Sequence, residues 1–436
     1  MREYAFDIIK GTLEEEGHSD TLFRDVLKKN SELTSTQKKY LKRVAYGTIE
    51  RQIELDARIS QFSKISVMQM DSDVRTVLRL AVYEIFHMEQ VPDSAACNEA
   101  VNVIRKKKKE KYAGFVNGVL RNLIRNKDSI ELKGDWIAVC LPKPLMVHLT
   151  EQYGKKTAKK IGNAFLERSG TVTLHIQTDR ISVEEYEKLL HEHKVVFTPG
   201  YYMKDALILT GVNDVSTLPG YQEGFFFVQD ESSMLPAMCA GIKPGDTIVD
   251  ICSAPGGKAL HALQMLQGEG FLSARDISEK KVHKIRENIN RMNYKNVECK
   301  VWDATKDDVA WKEKADVILA DVPCSGIGII GRKPEIKYRA MDEIESLVPI
   351  QREICKRAVT MLKPGGTFIY STCTISKKEN EENVHWLIEN LGLKPDCLDK
   401  YLPETLHNKM TAEGMLQMLP GVQKSDGFFV ARLIKG

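Results

Sequence analysis

The sequence lacks the features that would place the protein outside the cytosol. Its nine cysteines are odd in number and scattered, and no two form a Cys-x-x-Cys pair, so no disulfide framework is expected. The first residues, MREYAFDIIK, contain no hydrophobic signal region, and no uninterrupted apolar run reaches membrane-spanning length. We therefore expect reduced thiols, a cytoplasmic location and no membrane insertion.

The chain also has little net charge, +3 over 436 residues. Residues 1–133 carry 24 Lys and Arg against 20 Asp and Glu, which leaves 39 against 40 in the remainder. The positive surplus thus lies in the first third, where it fits nucleic-acid binding or a solvated helical surface. The length exceeds what one hydrophobic core usually supports, so two or three domains are predicted.

The first 124 residues show the spacing of amphipathic helices. Apolar residues recur at intervals of three and four, as at Leu41, Val44 and Ala45. Ser35 or Thr36 precedes one run as a candidate N-cap, and Asp71–Asp73 precedes another. We predict an all-helical bundle over residues 1–133.

Near the end of this region, a basic run precedes an apolar segment of distinctive pattern. The run is RKKKKEK, and the segment is FVNGVLRNL, from Phe115 to Leu123. The segment resembles the RNA-binding antitermination factors of NusB-like fold, and the resemblance implies that the first domain contacts RNA. A solvated helix end is the alternative for the lysines. The residues expected to bind RNA are Arg105, Lys106, Lys107, Lys108, Lys109 and Lys111.

Between 130 and 224 the pattern is less regular, and we predict a small α+β subdomain over residues 134–228. The predicted strands are Thr171–Gln177, Tyr201–Leu209 and Gly224–Val228, and the predicted helices are Lys155–Leu166 and Glu184–His191. The spacing of His175, His191 and His193 is not that of a metal site. We expect these histidines to be exposed on the surface, and we expect no bound metal.

From Gly245 onward, strands alternate with helices, which predicts a doubly wound, Rossmann-like α/β domain over residues 229–436. The last predicted strand lacks the long crossover that a further parallel strand needs, so we expect it to insert antiparallel at the edge of the sheet. The predicted strands are Thr247–Cys252, Phe271–Asp276, Val297–Asp303, Asp316–Asp321, Thr367–Thr372 and Gly427–Leu433.

The first of these strands ends in a turn rich in Pro and Gly, within the stretch TIVDICSAPGGK. Gly256 and Gly257 allow the backbone to approach a ligand closely, and the apolar spacing after Lys258 predicts a helix that begins at the turn. Asp276 ends the second strand, about 20 residues later, where a carboxylate accepts hydrogen bonds from ribose hydroxyls. Asp303 ends the third strand, where it is placed for an adenine amino group or caps a helix.

That arrangement fits either NAD or S-adenosylmethionine. The turn SAPGGK is not G-x-G-x-x-G, and its proline leaves fewer backbone donors for a pyrophosphate. A methionine carboxylate needs fewer donors than two phosphates do. The turn therefore favours S-adenosylmethionine.

Two cysteines follow neighbouring predicted strands, Cys324 in DVPCSG and Cys373 in STCT. Both thiols should therefore face one pocket. Methylation of cytosine C5 requires a thiolate that adds to C6, since C5 alone is a poor nucleophile. A second thiol can then help to remove the C5 proton and release the first. We expect helix N-termini or a cation such as Lys258 to lower the pKa of the attacking thiol, and Asp321 to hydrogen-bond cytosine N3.

Several motifs together resemble the RNA cytosine-C5 methyltransferase family (the NOL1/NOP2/Sun group). They are DICSAPGGK, ARDIS, the D-x-P-C-S-G-x-G run at Asp321 to Gly328 with GRKPEIKY after it, STCT, and the terminal DGFFVARL. The resemblance implies that Cys373 is the nucleophile and that Cys324 assists product release. With the helical domain in front, it implies small-subunit ribosomal RNA as the partner and S-adenosylmethionine as the cofactor.

The cofactor-binding residues expected on this basis include Lys281, which stands where the family commonly has Arg. His175 and Gln177 likewise replace an Arg-x-Asn of the family. We expect the enzyme to act as a monomer. The full expected cofactor set is Cys252, Ser253, Ala254, Pro255, Gly256, Gly257, Lys258, Asp276, Lys281, Asp303 and Asp321.

Three alternatives stay open at this point. A DNA cytosine methyltransferase uses the Pro-Cys cysteine as its nucleophile and needs no Thr-Cys partner, so the paired thiols argue against it. A transfer-RNA methyltransferase shares the chemistry, and only the helical first domain favours ribosomal RNA. A non-catalytic RNA-binding factor would not need the complete set of aspartates and thiols.

Overall fold

The computed structural model describes residues 1–167, 170–212 and 214–436. The chain divides into two compact units, Met1–Glu167 with Ile330–Arg339, and Arg168–Ile329 with Ala340–Gly436. This division does not coincide with the predicted boundaries at 133/134 and 228/229, and the three-part division stays a prediction. No helix among the described residues combines the length and apolar character needed to cross a membrane.

The first unit is helical, as predicted, and the apolar faces of its first six helices, apart from α2, supply most of one buried core. Asp71 caps a helix as expected. The other predicted N-cap is wrong by one residue, because Thr34 forms a capping box with Gln37 and the helix begins at Ser35. The helices are α1 (Arg2–Leu13), α2 (Ser19–Lys29), α3 (Ser35–Ser60), α4 (Ser72–His87), α5 (Asp93–Lys106), α6 (Ala113–Arg125), α7 (Asp135–Ala138) and α8 (Lys143–Leu166).

The segment 330–339, which contains the whole GRKPEIKY motif, belongs to this first unit. Glu335 accepts hydrogen bonds from the backbone N and the Oγ of Ser19 at 3.3 and 2.9 Å. The Tyr338 hydroxyl donates to the Ile49 carbonyl at 2.6 Å. These contacts attach the motif to α2 and α3. The motif that contributes to the family resemblance therefore also has a structural role in this chain.

The second unit begins with a four-stranded antiparallel sheet in the order β2–β3–β1–β4. A separate apolar core lies between this sheet and α9. Strand β2 has no counterpart in the sequence prediction, because it is short and mostly exposed. The elements are β1 (Thr171–Ile176), α9 (Val183–Glu192), β2 (Val196–Pro199), β3 (Ala206–Thr210) and β4 (Phe226–Val228).

The rest of the unit is a doubly wound α/β domain around an eight-stranded sheet, and the predicted fold class is confirmed. Its helices are α10 (Glu231–Ala240), α11 (Gly257–Leu266), α12 (Glu279–Arg291), α13 (Ala340–Met361), α14 (Glu381–Leu391) and α15 (Lys409–Ala412). Its strands are β5 (Thr247–Asp250), β6 (Phe271–Asp276), β7 (Val297–Val301), β8 (Ala315–Asp321), β9 (Leu362–Thr372), β10 (Leu393–Pro395), β11 (Met415–Met418) and β12 (Phe428–Lys435).

The sheet order is β10–β12–β9–β8–β5–β6–β7, with β11 paired to β12. Strands β5 to β9 are parallel, and β12 runs antiparallel to β9, as predicted. The expected edge position of β12 is wrong, because the chain after α14 supplies β10 and β11, which pair with β12 as well. The strand order reverses between β5 and β8, which places a ligand crevice at the carboxyl ends of these strands.

Candidate active site

The turn between β5 and α11 lies at that crevice. Gly256, the N-cap of α11, has φ 105°, in the region that favours glycine. Two hydrogen bonds attach the turn to β6: Ser253 N donates to the Arg275 carbonyl at 2.8 Å, and Ala254 N donates to Asp276 Oδ2 at 3.1 Å. The N-terminus of α11 is thus fixed at the sheet edge, where it favours a negatively charged group.

Asp250, the last residue of β5, is fully buried, and neither of its carboxylate oxygens has a hydrogen-bond partner among the described residues. Burial raises the pKa of Asp250 to about 7. The neighbouring Ser253 hydroxyl is also buried. It moderates the rise in the Asp250 pKa, but it makes no hydrogen bond of ordinary geometry among the described residues. Unsatisfied buried acceptors of this kind indicate a ligand that donates hydrogen bonds or carries positive charge. The ammonium group of S-adenosylmethionine has both properties, so the residues present fit this cofactor.

Asp250 was not among the predicted cofactor residues, whereas two carboxylates that were, Asp276 and Asp303, have local partners. Asp276 is buried and its Oδ1 accepts from Ile277 N at 2.8 Å, with Lys281 Nζ 3.2 Å away. Asp303 accepts from Thr305 N and Oγ1 at 3.0 and 2.7 Å, and these bonds lower its pKa. Asp303 thus stabilises the turn after β7, and the alternative that it caps a helix is wrong, because residues 304–306 form a turn and no helix begins there. Contact with adenine stays a prediction for it.

Lys258 and Asp321 form an ion pair at the switch point, with Nζ 2.7 Å from Oδ2. Burial lowers the pKa of Lys258, but the adjacent Asp321 carboxylate outweighs burial and raises it overall. Ser371 Oγ donates to the other Asp321 oxygen at 2.9 Å. Asp321 therefore acts as a hydrogen-bond acceptor in this arrangement, and its expected contact with cytosine N3 stays a prediction.

The two predicted cysteines lie next to each other. Cys324 Sγ and Cys373 Sγ are 3.4 Å apart, and both thiols are free and partly accessible. This separation exceeds a disulfide bond length of about 2.05 Å. The loops that carry them are in contact, because Gly328 N donates to the Cys373 carbonyl at 3.0 Å. A Cβ at Gly328 would overlap the backbone of Gly427 and that same carbonyl, so the close approach requires glycine.

The pKa of Cys324 is raised well above that of an ordinary thiol, by its hydrogen bond with Cys373 and by burial. Burial also raises the pKa of Cys252, which packs against the apolar core beside the cofactor turn. The expected lowering of a pKa concerned the attacking thiol and stays a prediction, whereas the pKa of Cys324 departs upward from that of an ordinary thiol. The negative charges of Glu379 and Asp321 also contribute to the raised pKa of Cys324.

Glu379 is a buried residue that the sequence analysis missed. Its Oε1 accepts from Ser325 N at 2.8 Å and from Gln351 Nε2 at 3.0 Å. Its Oε2 accepts from Ser325 Oγ at 2.5 Å and from Thr374 Oγ1 at 3.0 Å. Ser325 follows Cys324, and Thr374 follows Cys373. One carboxylate thus connects both cysteine loops and fixes the distance between the sulfurs. In the sequence, Glu379 stands in the polar segment SKKENEEN, which resembles solvated surface.

The basic run Arg105 to Lys111 lies at the end of α5 and is largely paired within its own unit. Lys106 and Lys107 contact Glu3 and Asp7 at 2.6 and 2.5 Å. Lys109 contacts Asp71, and Arg105 contacts Glu110. Lys108 and Lys111 are exposed and have no carboxylate partner among the described residues. Only part of the predicted RNA-binding charge is therefore free of internal ion pairs.

The chain is similar to known proteins over its whole length. The model of the 16S rRNA methyltransferase RsmB/F family matches residues 237–434, and that of the NusB family matches residues 1–125. The Probable ribosomal RNA small subunit methyltransferase B of Bacillus subtilis (strain 168) is 32% identical over 446 residues, covering 100% of this chain and 98% of that protein. The Ribosomal RNA small subunit methyltransferase B of Vibrio cholerae is 31% identical over 401 residues, covering 91% of this chain and 89% of that protein.

Solved structures agree with the fold. The crystal structure of PH0851 matches with a TM-score of 0.83 and 25% identity, covering 99% of each chain. The structure of NSun6 from Pyrococcus horikoshii with SFG matches 67% of this chain and 98% of that one, with a TM-score of 0.62 and 24% identity. The family resemblance, the S-adenosylmethionine cofactor and the methyltransferase activity predicted from the sequence are confirmed. The chain therefore belongs to the RsmB/F family of S-adenosylmethionine-dependent 16S ribosomal RNA methyltransferases, with a NusB-type domain at its N-terminus.

Proposed function

We propose that the enzyme methylates C5 of a cytosine in 16S ribosomal RNA through a covalent adduct between a cysteine and C6 of the base. The resemblance to the family implies cytosine 967, the customary target of that family, as the position. The observation that carries the proposal is the pair of free thiols 3.4 Å apart at the ends of two adjacent parallel strands. Methylation at a ring nitrogen or a hydroxyl needs no thiol, whereas C5 methylation needs a thiol that adds to C6, and a second thiol can help the first one to leave.

In this proposal Cys373 attacks C6, and C5 becomes nucleophilic. Bound S-adenosylmethionine supplies the methyl group. Asp321, held as an acceptor by Lys258 and Ser371, is placed to accept a hydrogen bond from the exocyclic amino group of the base. Cys324, whose sulfur lies 3.4 Å from that of Cys373, would accept the C5 proton while it passes its own proton to the Cys373 sulfur. The bond between C6 and Cys373 then breaks, the C5–C6 double bond forms again, and Cys373 leaves as a thiol. The target base must leave its stack to reach these groups, which costs a few kcal/mol.

The expected cofactor set, from Cys252 to Lys258 with Asp276, Lys281, Asp303 and Asp321, is proposed to hold S-adenosylmethionine, and we add Asp250. Asp250 would pair with the cofactor ammonium, since its two buried oxygens lack partners. We further propose that the enzyme acts as a monomer in the cytoplasm.

Cofactor affinity should depend on pH because of Asp250. Its pKa of about 7 means that the free enzyme holds a proton there at lower pH. Pairing with an ammonium group requires the ionised carboxylate, so binding below pH 7 must release this proton. We expect affinity to rise up to about tenfold per pH unit until about pH 7, and then to level off.

Isothermal titration calorimetry with S-adenosylmethionine measures the affinity at each pH. Repeating it in buffers of different ionisation enthalpy measures the number of protons released on binding. Asp250→Asn should bind more weakly, and without this pH dependence. An unchanged pH profile in Asp250→Asn would contradict the assignment.

A methyl-transfer assay tests the proposed reaction directly. Tritiated S-adenosylmethionine is incubated with the enzyme and either 16S ribosomal RNA or total transfer RNA, and bisulfite sequencing of the product locates 5-methylcytosine. We expect labelling of 16S RNA at one cytosine and none of transfer RNA. Label on transfer RNA alone would support the transfer-RNA alternative, and no label on either RNA would support the non-catalytic one.

RNA binding by the first unit is proposed to use the basic run and the groove between α5 and α6, which Arg105, Asn117 and Arg121 line. Because Lys108 and Lys111 form no ion pair with any described residue, they are the lysines best able to contact phosphates. The double variant Lys108→Ala/Lys111→Ala should reduce the slope of log affinity against log salt by about 0.7 to 0.9 per lost contact.

Filter binding to 16S RNA at several salt concentrations measures this slope. The matched control is Lys28→Ala/Lys29→Ala, which removes two exposed lysines from the end of α2. Equal slopes for both variants would contradict the proposal and would support the alternative that the basic run is a solvated helix end.

A further inference from the structure

Two histidines and an aspartate meet inside the second unit, away from the thiols in sequence. His175 on β1 is completely buried, and His261 on α11 is 7% exposed. Asp205 immediately precedes β3, and one ligand atom from each of the three residues lies within 4.8 Å of the others. The expectation that His175 is exposed is therefore wrong, because β1 is covered by the α/β domain on this face, whereas His191 and His193 are exposed.

The orientation of the His175 ring is fixed by hydrogen bonds. Its Nδ1 lies 3.0 Å from Gln229 Oε1. The Gln229 amide nitrogen donates to the Ser233 carbonyl at 2.9 Å, so the amide oxygen faces the ring and Nδ1 carries the proton. The other nitrogen, Nε2, lies 2.9 Å from Asp205 Oδ2. Metal-bound histidines in proteins typically donate one ring N–H to an oxygen in this way and present the other nitrogen to the metal.

His261 supplies the second observation. Its Nδ1 is buried and has no hydrogen-bond partner among the described residues. The ring interacts with the backbone of Met234, and it packs edge-on against the His175 ring, with centroids 4.3 Å apart. A buried nitrogen without a partner is destabilising, so this position indicates a ligand that the polypeptide does not provide.

We propose that His175 Nε2, Asp205 and His261 Nδ1 bind one divalent cation of the zinc class. Imidazole nitrogen and carboxylate oxygen are typical zinc ligands, and neighbouring ligands on a zinc ion are separated by about 3 to 3.5 Å. The 2.9 Å between Nε2 and Oδ2 is close to this spacing. The Asp205 side chain is 28% exposed, which gives the ion access from solvent.

A proton shared by His175 and Asp205 is the competing arrangement. This arrangement gives His175 and Asp205 a hydrogen bond to each other, but it leaves His261 Nδ1 without a partner among the described residues. It also places a positively charged His175 ring, which is buried, against the His261 ring. A cation bonded to all three residues removes both costs. Among the described residues, the charged or titratable side chains that influence Asp205 and His261 belong to this cluster, so a bound divalent ion with one carboxylate would carry a net charge of about +1.

The position of the site indicates a structural function. Strands β1 and β3 belong to the small antiparallel sheet, and α11 begins at the cofactor turn. A cation held by residues from both would connect the sheet to the helix that carries Lys258. The metal would therefore stabilise the second unit and the placement of the cofactor turn, without entering the methyl transfer.

Metal binding to the full-length protein, treated with EDTA and dialysed, tests the proposal. We expect Zn²⁺ to bind with one-to-one stoichiometry in calorimetry and to raise the melting temperature. Co²⁺ should give visible d–d bands without a sulfur charge-transfer band. His261→Asn and Asp205→Asn should weaken Zn²⁺ affinity at least about 100-fold, and Gln229→Leu about 10- to 100-fold.

The matched control is His191→Asn/His193→Asn, which removes two exposed histidines and should leave binding unchanged. Circular dichroism confirms folding of each variant. The cobalt spectrum is recorded on the wild-type protein, so it tests the proposal even if a variant does not fold. The paired thiols could also bind Zn²⁺, so Cys324→Ser is measured in parallel. Binding that persists in His261→Asn but is lost in Cys324→Ser, a sulfur charge-transfer band, or no Zn²⁺ binding would overturn the proposal.

Discussion

Replacing Cys373 with alanine should reduce methyl transfer to 16S RNA by at least about 10⁴-fold. Without its thiol nothing adds to C6 of cytosine, and C5 stays too weak a nucleophile to accept the methyl group. The remaining thiol of Cys324 does not substitute for it, because burial and the negative charge of Glu379 and Asp321 keep its pKa high. Single-turnover transfer of tritiated methyl groups measures the loss.

The Cys373 variant should also form no covalent RNA complex on a denaturing gel. Its affinity for S-adenosylmethionine should change little, which separates loss of the nucleophile from loss of the fold. Cys397→Ala is the matched control, because Cys397 is also a free, partly accessible thiol of the second unit, outside the site. Retention of activity in Cys373→Ala would assign the nucleophile to another residue.

Replacing Cys324 with alanine should have the opposite effect on the covalent complex. Cys373 can still attack, and the methyl group can still be transferred, but removal of the C5 proton and release of Cys373 are impaired. We expect turnover to fall by about 10² to 10⁴-fold, the usual contribution of a positioned acid or base. A protein–RNA complex should accumulate on denaturing gels in the presence of the cofactor.

Quantifying that complex over time distinguishes slow release from slow attack. In Cys324→Ala the adduct should form within the first turnover and persist, whereas in Cys397→Ala it should stay transient. The reverse pattern, with adduct in Cys373→Ala and none in Cys324→Ala, would exchange the two roles.

The positions of the catalytic strands could be predicted because their signals are local. Alternating strands and helices after Gly245 fixed the parallel order, and the carboxyl ends of β5 and β8 then had to meet at the switch point. This is why Lys258, Asp321 and the two cysteines come together as expected. The edge assignment of β12 failed because β10 and β11 are short, and three- or four-residue strands leave little periodicity to detect.

The residues that were missed or misjudged depend on contacts distant in sequence. Glu379 looks like surface in SKKENEEN, yet it joins Ser325, 54 residues earlier, to Thr374. The spacing of His175 to nearby histidines gave no metal signature, because its partners are Asp205 and His261. The lysines of the basic run looked free, yet three of them are paired with acids up to 103 residues away.

The sequence alone determined the chemistry this chain can perform: its motifs carry the thiols, the cofactor turn and the carboxylates, and residue type sets what each group can do. Only the tertiary structure decided the state of those groups. A pKa, an ion pair or a ligand set depends on distance and burial, and these arise when strands far apart in the chain become neighbours. That is why Cys324 holds its proton tightly, Asp321 faces Lys258, and two histidines share one buried site.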